Sequence, residues 1–319
     1  MRSGALLAIG LFVGSVTACA GPRIVPLAAL QAAPPPLPRG PVLQPCVLVH
    51  QRYTADRSTA LEGGGVGKAR MLFASFLVHH PQFGTVVIDP AVGREKAKDF
   101  GANPWLLRRE LGDGSQARAL GDLLTAAGIP PESVNYALIT HFHFDHVGGT
   151  TDIPGAKILV HEPDVAFAGA AHVLGMKMTP QFEIDRIRDR LQSYALTGPA
   201  YDGFDSSYDL FGDGSVVAVP TPGHTPGSVS WFVNSSDGAR WLFVGDAAWL
   251  DDGITRPAQK GWMGRFLDAD AEQAGKTLAR LHAYQQARPV TTPPDGRGVH
   301  IITGHDAAML AVLPPCGPG

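Results

Sequence analysis

The sequence predicts an α/β (α+β) fold in which two sheets are covered by helices. Apolar runs of strand length come in groups with helical patterns between them, which fits two covered sheets better than one doubly wound sheet. The 319 residues are 45% hydrophobic and 17% charged, a composition that can bury a core and excludes a globally disordered chain. At about 150 residues per domain, the length allows one large or two medium domains.

In chain order, the first segment reads as an export signal. Arg2 precedes the apolar stretch Ala5 to Val16, too short to span a membrane, and Val16-Thr17-Ala18-Cys19 follows at once. Residues 1–18 are therefore expected to be a signal peptide. A cysteine directly after small residues resembles a bacterial lipobox, which implies cleavage before Cys19 and lipidation of its thiol. The competing reading is an ordinary signal peptide with an incidental cysteine. Ala20 resembles the outer-membrane pattern, so the expected location is the periplasmic face of a bacterial membrane, as an outer membrane lipoprotein. Residues 19–45 hold Pro34-Pro35-Pro36, Pro38, Pro41 and Pro45 with few charges and read as a semi-extended tether. The folded domain is expected over residues 46–319. With Cys19 lipidated, Cys46 and Cys316 remain as one possible disulfide pair in an oxidising compartment.

Within the domain, Cys46 to Val49 opens as a strand. Ser75 to Val78 and Thr85 to Ile88 flank Pro81-Gln82-Phe83-Gly84 and read as a hairpin. Leu120, Leu123, Leu124 and Ala127 recur at helical spacing, with Ser115 as N-cap and Gly128 past the end. Tyr136 to Thr140 reads as a buried strand entering a His-rich loop, and Lys157 to Val160 as another. Ile184, Ile187, Leu191 and Tyr194 mark an amphipathic helix. Strands follow at Val216 to Val219, Ser228 to Val233, Trp241 to Val244 and Val299 to Ile302. A last helix through Ala274, Leu278 and Leu281 is stopped by Pro289. Gly63-Gly64-Gly65-Val66-Gly67-Lys68-Ala69 lacks the spacing and the Ser or Thr of a phosphate loop, so it reads as a plain loop.

Charge excludes one class of partner. A formal net charge of -3 leaves no basic footprint for nucleic acid.

The chemistry is concentrated in His141-Phe142-His143-Phe144-Asp145-His146-Val147-Gly148-Gly149. Coming off a strand, His141 and His143 alternate onto one side. The turn that Gly148-Gly149 permits brings Asp145 and His146 toward a second centre. Imidazole and carboxylate suit zinc, and also iron or manganese. Three more such side chains sit at strand ends: His224 in Thr221-Pro222-Gly223-His224-Thr225-Pro226-Gly227, Asp246 in Gly245-Asp246, and His305 in Gly304-His305-Asp306. His50, His79, His80, His161, His282 and His300 read as structural. His172, near Met176 and Met178 before the amphipathic helix, lies in a stretch that reads as core packing or solvent, with a lid contacting substrate as the alternative.

HxHxDH, TPGHTPG, a GD after a strand and a late GHD, in this order over roughly residues 46–312, resemble the metallo-β-lactamase superfamily. In its flanks the pattern resembles the acyl-homoserine lactonase-like branch. The resemblance implies an αββα sandwich, two facing mixed sheets with outer helices and metals at one edge. It implies that His141, His143 and His224 hold one divalent ion, that Asp145, His146 and His305 hold another, and that Asp246 bridges them. The implied cofactors are two Zn2+, with Mn2+ or Fe2+ as alternatives. Asp145 and Asp246 are the implied catalytic carboxylates, and a metal-bridging hydroxide is the implied nucleophile on a small ester-like substrate, lactone first.

Zinc β-lactamases generally carry Cys or Ser where Asp246 stands. Many lactonases carry a tyrosine where this chain has Trp249. Organophosphate or aryl ester hydrolysis and a β-lactamase-like activity therefore stay open. Trp249, Trp262, Met263 and Phe266 are expected to form an apolar pocket for an acyl chain or aromatic group. From another class, the alternative is a non-catalytic periplasmic metal-binding lipoprotein. Seven ligands including a bridge disfavour that, because a closed structural site needs four.

Overall fold

The computed structural model describes residues 40–103, 108, 111–168, 181–292 and 294–317, together with 35, 36 and 38. The expected signal peptide, Cys19, and His172 with its two methionines lie outside the described residues.

One sheet is formed by β1 (Cys46–Asp56), β2 (Lys68–His80), β3 (Gly84–Ile88), β4 (Val134–Leu138), β5 (Lys157–His161) and β6 (Leu191–Tyr194), in that order across the sheet. The pairs from β1 to β3 are antiparallel and those from β3 to β6 parallel. The second sheet uses β7 (Tyr208–Asp209), β8 (Val216–Pro220), β9 (Val229–Asn234), β10 (Arg240–Gly245) and β11 (His300–Thr303), in the order β11-β10-β9-β8-β7. Its pairs are antiparallel except β10 with β11.

Period-2 alternation decides which way each side chain points. Leu72, Ala74, Phe76 and Val78 of β2 meet Trp231 and Val233 of β9 and Trp241 and Phe243 of β10 between the sheets. Leu77 and Val87 face outward onto Leu120, Leu123 and Leu124. On the other side, Val217, Phe232, Leu242 and Val244 pack on Leu278, Leu281 and Tyr284. The layers are helix, sheet, sheet, helix. The helix Leu120–Ala126 has seven residues, too few to stand alone in water. Its three leucines, each worth about 1.5–3 kcal/mol when buried, hold it on the sheet.

Four sequence expectations are revised. The N-cap of Leu120–Ala126 is Ala119 without a side-chain cap, not Ser115. The amide of Gly121 is satisfied instead by Asp152 Oδ2 at 2.9 Å. The helix expected through Ile184 and Tyr194 stops early, at Gln181–Asp185, and Leu191–Tyr194 becomes β6. Pairing with the open edge of β5 outweighs helical spacing here, and Tyr194 stacks on Tyr208 at 4.4 Å. The folded domain begins before Cys46, inside the stretch 19–45 expected as tether. Leu43 is buried in the inter-sheet core and its amide donates to Ser235 Oγ at 2.9 Å. The fourth, in the expected pocket, is described with the site.

A disulfide joins Cys46 to Cys316, with Cα atoms 5.0 Å apart. The two chain ends are also hydrogen-bonded, Val47 N–H to Pro314 O at 2.9 Å and Cys316 N–H to Val47 O at 3.1 Å. Among the described residues no helix is long and apolar enough to cross a membrane.

Candidate metal centre

Parallel neighbours end on the same edge of a sheet, and that edge collects the polar groups. Asp89 directly follows β3, and His141 to His146 follow β4. In the second sheet, His224 follows β8, Asp246 follows β10 and His305 follows β11. The TPGHTPG turn is shaped by its glycines. A Cβ on Gly223, whose φ is +132°, would stand 2.3 Å from the Ala274 nitrogen, and one on Gly227 would stand 2.2 Å from that of Asp164. Only glycine lets this turn wedge between those two backbones.

Three imidazoles converge. His143 Nδ1 lies 3.1 Å from His141 Nε2 and 3.0 Å from His224 Nε2. Ligand atoms around a tetrahedral zinc at roughly 2.0–2.1 Å are roughly 3.3 Å apart, so the spacing suits a shared cation. Burial holds His141 and His143 well below the ordinary imidazole pKa, leaving them neutral with lone pairs free. Burial, followed by the Lys260 ammonium, lowers His224 as well. Its Nδ1 is held by Asp268 at 2.8 Å, which turns Nε2 inward. Lys260 pairs with Asp268 and stands 3.0 Å from the same Nδ1.

The second group is Asp145, His146 and His305. His305 Nε2 lies 3.6 Å from Asp145 Oδ2 and His146 Nε2 lies 4.0 Å from it. Asp246 stands between the groups, with Oδ1 at 3.1 Å from His305 Nε2 and 3.3 Å from His146 Nε2, and Oδ2 at 3.3 Å from His224 Nε2. Burial opposes charge on His146 and His305, but the carboxylates around them outweigh it and raise both. Burial likewise opposes ionisation of Asp246, yet His305 and His146 hold it well below the usual carboxylate range.

The donor set fits divalent metal. His146 Nε2 and Asp246 Oδ1 are buried without a hydrogen-bond partner among the described residues, a costly state that a cation between them removes. His141, His143 and His224 would hold one ion, Asp145, His146 and His305 a second, and Asp246 would reach both.

Three supporting carboxylates lie outside the sequence motifs. Asp89 accepts from His146 Nδ1 at 2.9 Å and from Thr140 N and Oγ1, both at 2.8 Å, and has a φ of +50°. Left-handed backbone at a non-glycine residue is strain concentrated at a site. Its one sequence signal is its place at a strand end before Pro90. Asp164 and Asp268 carry no such signal. Of the histidines read as structural, His50 is buried against Ser75 Oγ at 2.8 Å, His282 bonds Ile254 O at 2.8 Å, and His161 bonds Gly227 O at 3.0 Å.

A pocket opens on the centre. Tyr53, Met71, Leu111, Phe144, Trp249, Met263 and Leu267 line it beside His143, Asp145, His224, Asp246 and His305. Trp249 and Met263 are thus where the sequence expected them. Trp262 and Phe266 are not. They are 65% and 56% exposed and pack edge-on to each other at 5.8 Å. Helical spacing explains it, since residues four apart share one face and Met263 takes another.

Two facing mixed sheets with helices outside, and histidines and aspartates gathered at one edge, define a metal-dependent hydrolase. The Metallo-beta-lactamase superfamily matches residues 74–297, and the chain belongs to it. It is similar to the N-acyl homoserine lactonase AttM of Azorhizobium caulinodans, 27% identical over 242 residues, covering 72% of this chain and 80% of that one. Its fold is similar to that of a B. thuringiensis AiiA mutant with N-decanoyl-L-homoserine bound at the active site, with a TM-score of 0.60 at 18% identity, covering 85% and 96% of the two chains. The dizinc quorum-quenching lactonase AidC aligns with a TM-score of 0.58 at 16% identity, covering 85% and 90%.

Proposed function

We propose that this chain is a dinuclear metal hydrolase that opens a lactone bearing an apolar acyl chain. The observation that carries the reading is the apolar pocket, walled by Met71, Leu111, Phe144, Met263 and Leu267, opening onto the seven-residue histidine and aspartate cluster. Similarity to N-acyl homoserine lactonases supports the substrate class. When bound, two divalent ions, zinc first, supply an acidified water and a Lewis acid for the scissile carbonyl. The protein's own part is to hold the imidazoles and carboxylates in place, through Asp89 on His146 and Asp268 on His224. The apolar wall excludes water from the acyl chain and points the ester end at the cluster.

The test is a panel of lactones, aryl esters, phosphotriesters and nitrocefin, assayed with zinc- and manganese-loaded protein. Medium-chain acyl-homoserine lactones should be turned over best. Turnover confined to aryl esters or phosphotriesters would replace the lactone reading.

For location, the motif Val16-Thr17-Ala18-Cys19 supports a lipid anchor on Cys19 at the periplasmic face of the outer membrane. Mass spectrometry of the protein from its native membrane should find an acylated Cys19 at the new N-terminus; unacylated protein cut elsewhere refutes the anchor.

A further inference from the structure

Trp249 stands where the lactonase-like pattern has a tyrosine, and its single donor is committed. The indole Nε1 donates to Asp246 Oδ2 at 2.7 Å, and tryptophan has no second polar hydrogen. A substrate carbonyl at the cluster therefore receives no hydrogen bond from that position.

The first sheet offers a phenol of its own. Tyr53, on β1, lines the same pocket as Asp145, Asp246 and Trp249. Its cross-strand partner Met71 lines the pocket too. The Tyr53 ring is stacked on Phe73 with centroids 4.8 Å apart, and Phe73 meets the His305 ring edge-on at 5.6 Å. This ladder fixes the phenol with respect to the candidate ligands. Its hydroxyl makes no hydrogen bond among the described residues. Phenols titrate near 10, so the donor proton is present at neutral pH.

We propose that Tyr53 donates the hydrogen bond to the carbonyl oxygen of the bound ester-like substrate, from the opposite sheet to Trp249. The inference rests on the ester-hydrolase reading above. Tyr208, a second tyrosine on β7 and outside the pocket lining, serves as the control.

Tyr53→Phe keeps the ring on Phe73 and removes only the oxygen. In zinc-loaded protein it should leave metal content and Tm unchanged and lower kcat/KM on the best panel substrate about 10- to 100-fold. Binding of ring-opened N-hexanoyl-homoserine should perturb tyrosine ultraviolet absorbance in wild type, and Tyr53→Phe should lose that signal. Tyr208→Phe should behave as wild type in both. Unchanged kcat/KM in Tyr53→Phe, absence of the signal in wild type, or an equal loss in Tyr208→Phe would each overturn the proposal. If wild type cleaves aryl esters but no lactone, the lactone reading fails and Tyr53 is judged on the aryl ester. Cleavage of phosphotriesters alone overturns both.

Discussion

The Asp164 carboxylate accepts a hydrogen bond from the backbone N–H of Phe142, the residue between His141 and His143. Asp164 also abuts the turn that carries His224, where a Cβ on Gly227 would stand 2.2 Å from the Asp164 nitrogen. One residue thus meets both loops that supply the three converging imidazoles. Asp164→Ala leaves the buried Phe142 amide without its acceptor. Stability should fall by about 2–3 kcal/mol, as measured by urea unfolding. Zinc affinity should fall about 10-fold or more in a chelator competition.

Trp249→Phe tests the indole bond to Asp246 Oδ2. The ring volume is largely kept while a hydrogen bond to a carboxylate, worth about 1.5–3 kcal/mol, is lost. Chelator titration should show one of two ions bound about 10- to 100-fold more weakly. Retention of both ions at wild-type affinity would show the bond to be idle.

Asp246→Asn keeps the shape of the carboxylate but removes the negative charge shared by the two ligand groups. Elemental analysis should show weakened occupancy of one ion, and kcat should fall about 10²- to 10³-fold. Nitrocefin should be a poor substrate for wild type. Efficient nitrocefin hydrolysis with Asp246→Asn fully active would return the β-lactamase-like reading.

Glu183 gives a pH dependence of stability. It is fully buried beside Arg186 and Asp99, and burial pushes its carboxyl up to about 9. A carboxyl raised on folding favours the native state while protonated. Its contribution is complete below the unfolded value of 4.5 and is lost as pH rises to about 9. Glu183→Gln keeps a hydrogen-bond donor and cannot ionise. The fall in Tm between pH 6 and pH 9 should be smaller in this variant than in wild type.

The disulfide closes a loop of sequence separation 270. In the chain-entropy model such a closure contributes about 5 kcal/mol, less where the unfolded chain keeps structure. Replacing Cys46 and Cys316 by serine should lower Tm by several degrees while leaving metal content intact, because both lie away from the cluster. Thiol labelling of the denatured, unreduced protein should find neither residue reactive.

Local pattern was enough for most of the architecture. Short apolar runs bounded by turn residues placed nine of the strands, seven of them to within a few residues; β1 runs seven residues past Val49 and β2 begins seven before Ser75, where polar residues interrupt the apolar run. The histidine cluster was also legible, because HxHxDH, TPGHTPG and GHD put ligand chemistry at strand ends within short stretches of sequence. The spacing of Leu191 and Tyr194 satisfies a helix, and only the free edge of β5 makes them a strand. Asp89, Asp164 and Asp268 act on residues 57, 22 and 44 positions away in the chain. A carboxylate has no local signature for a partner that distant, so these supports appear only when the strand ends meet. The pocket divides in the same way. Met263 and Trp262 are adjacent in sequence, yet one turns to the cluster and the other to solvent, because the register of a single helical turn against the sheet edge selects which side chain is enclosed.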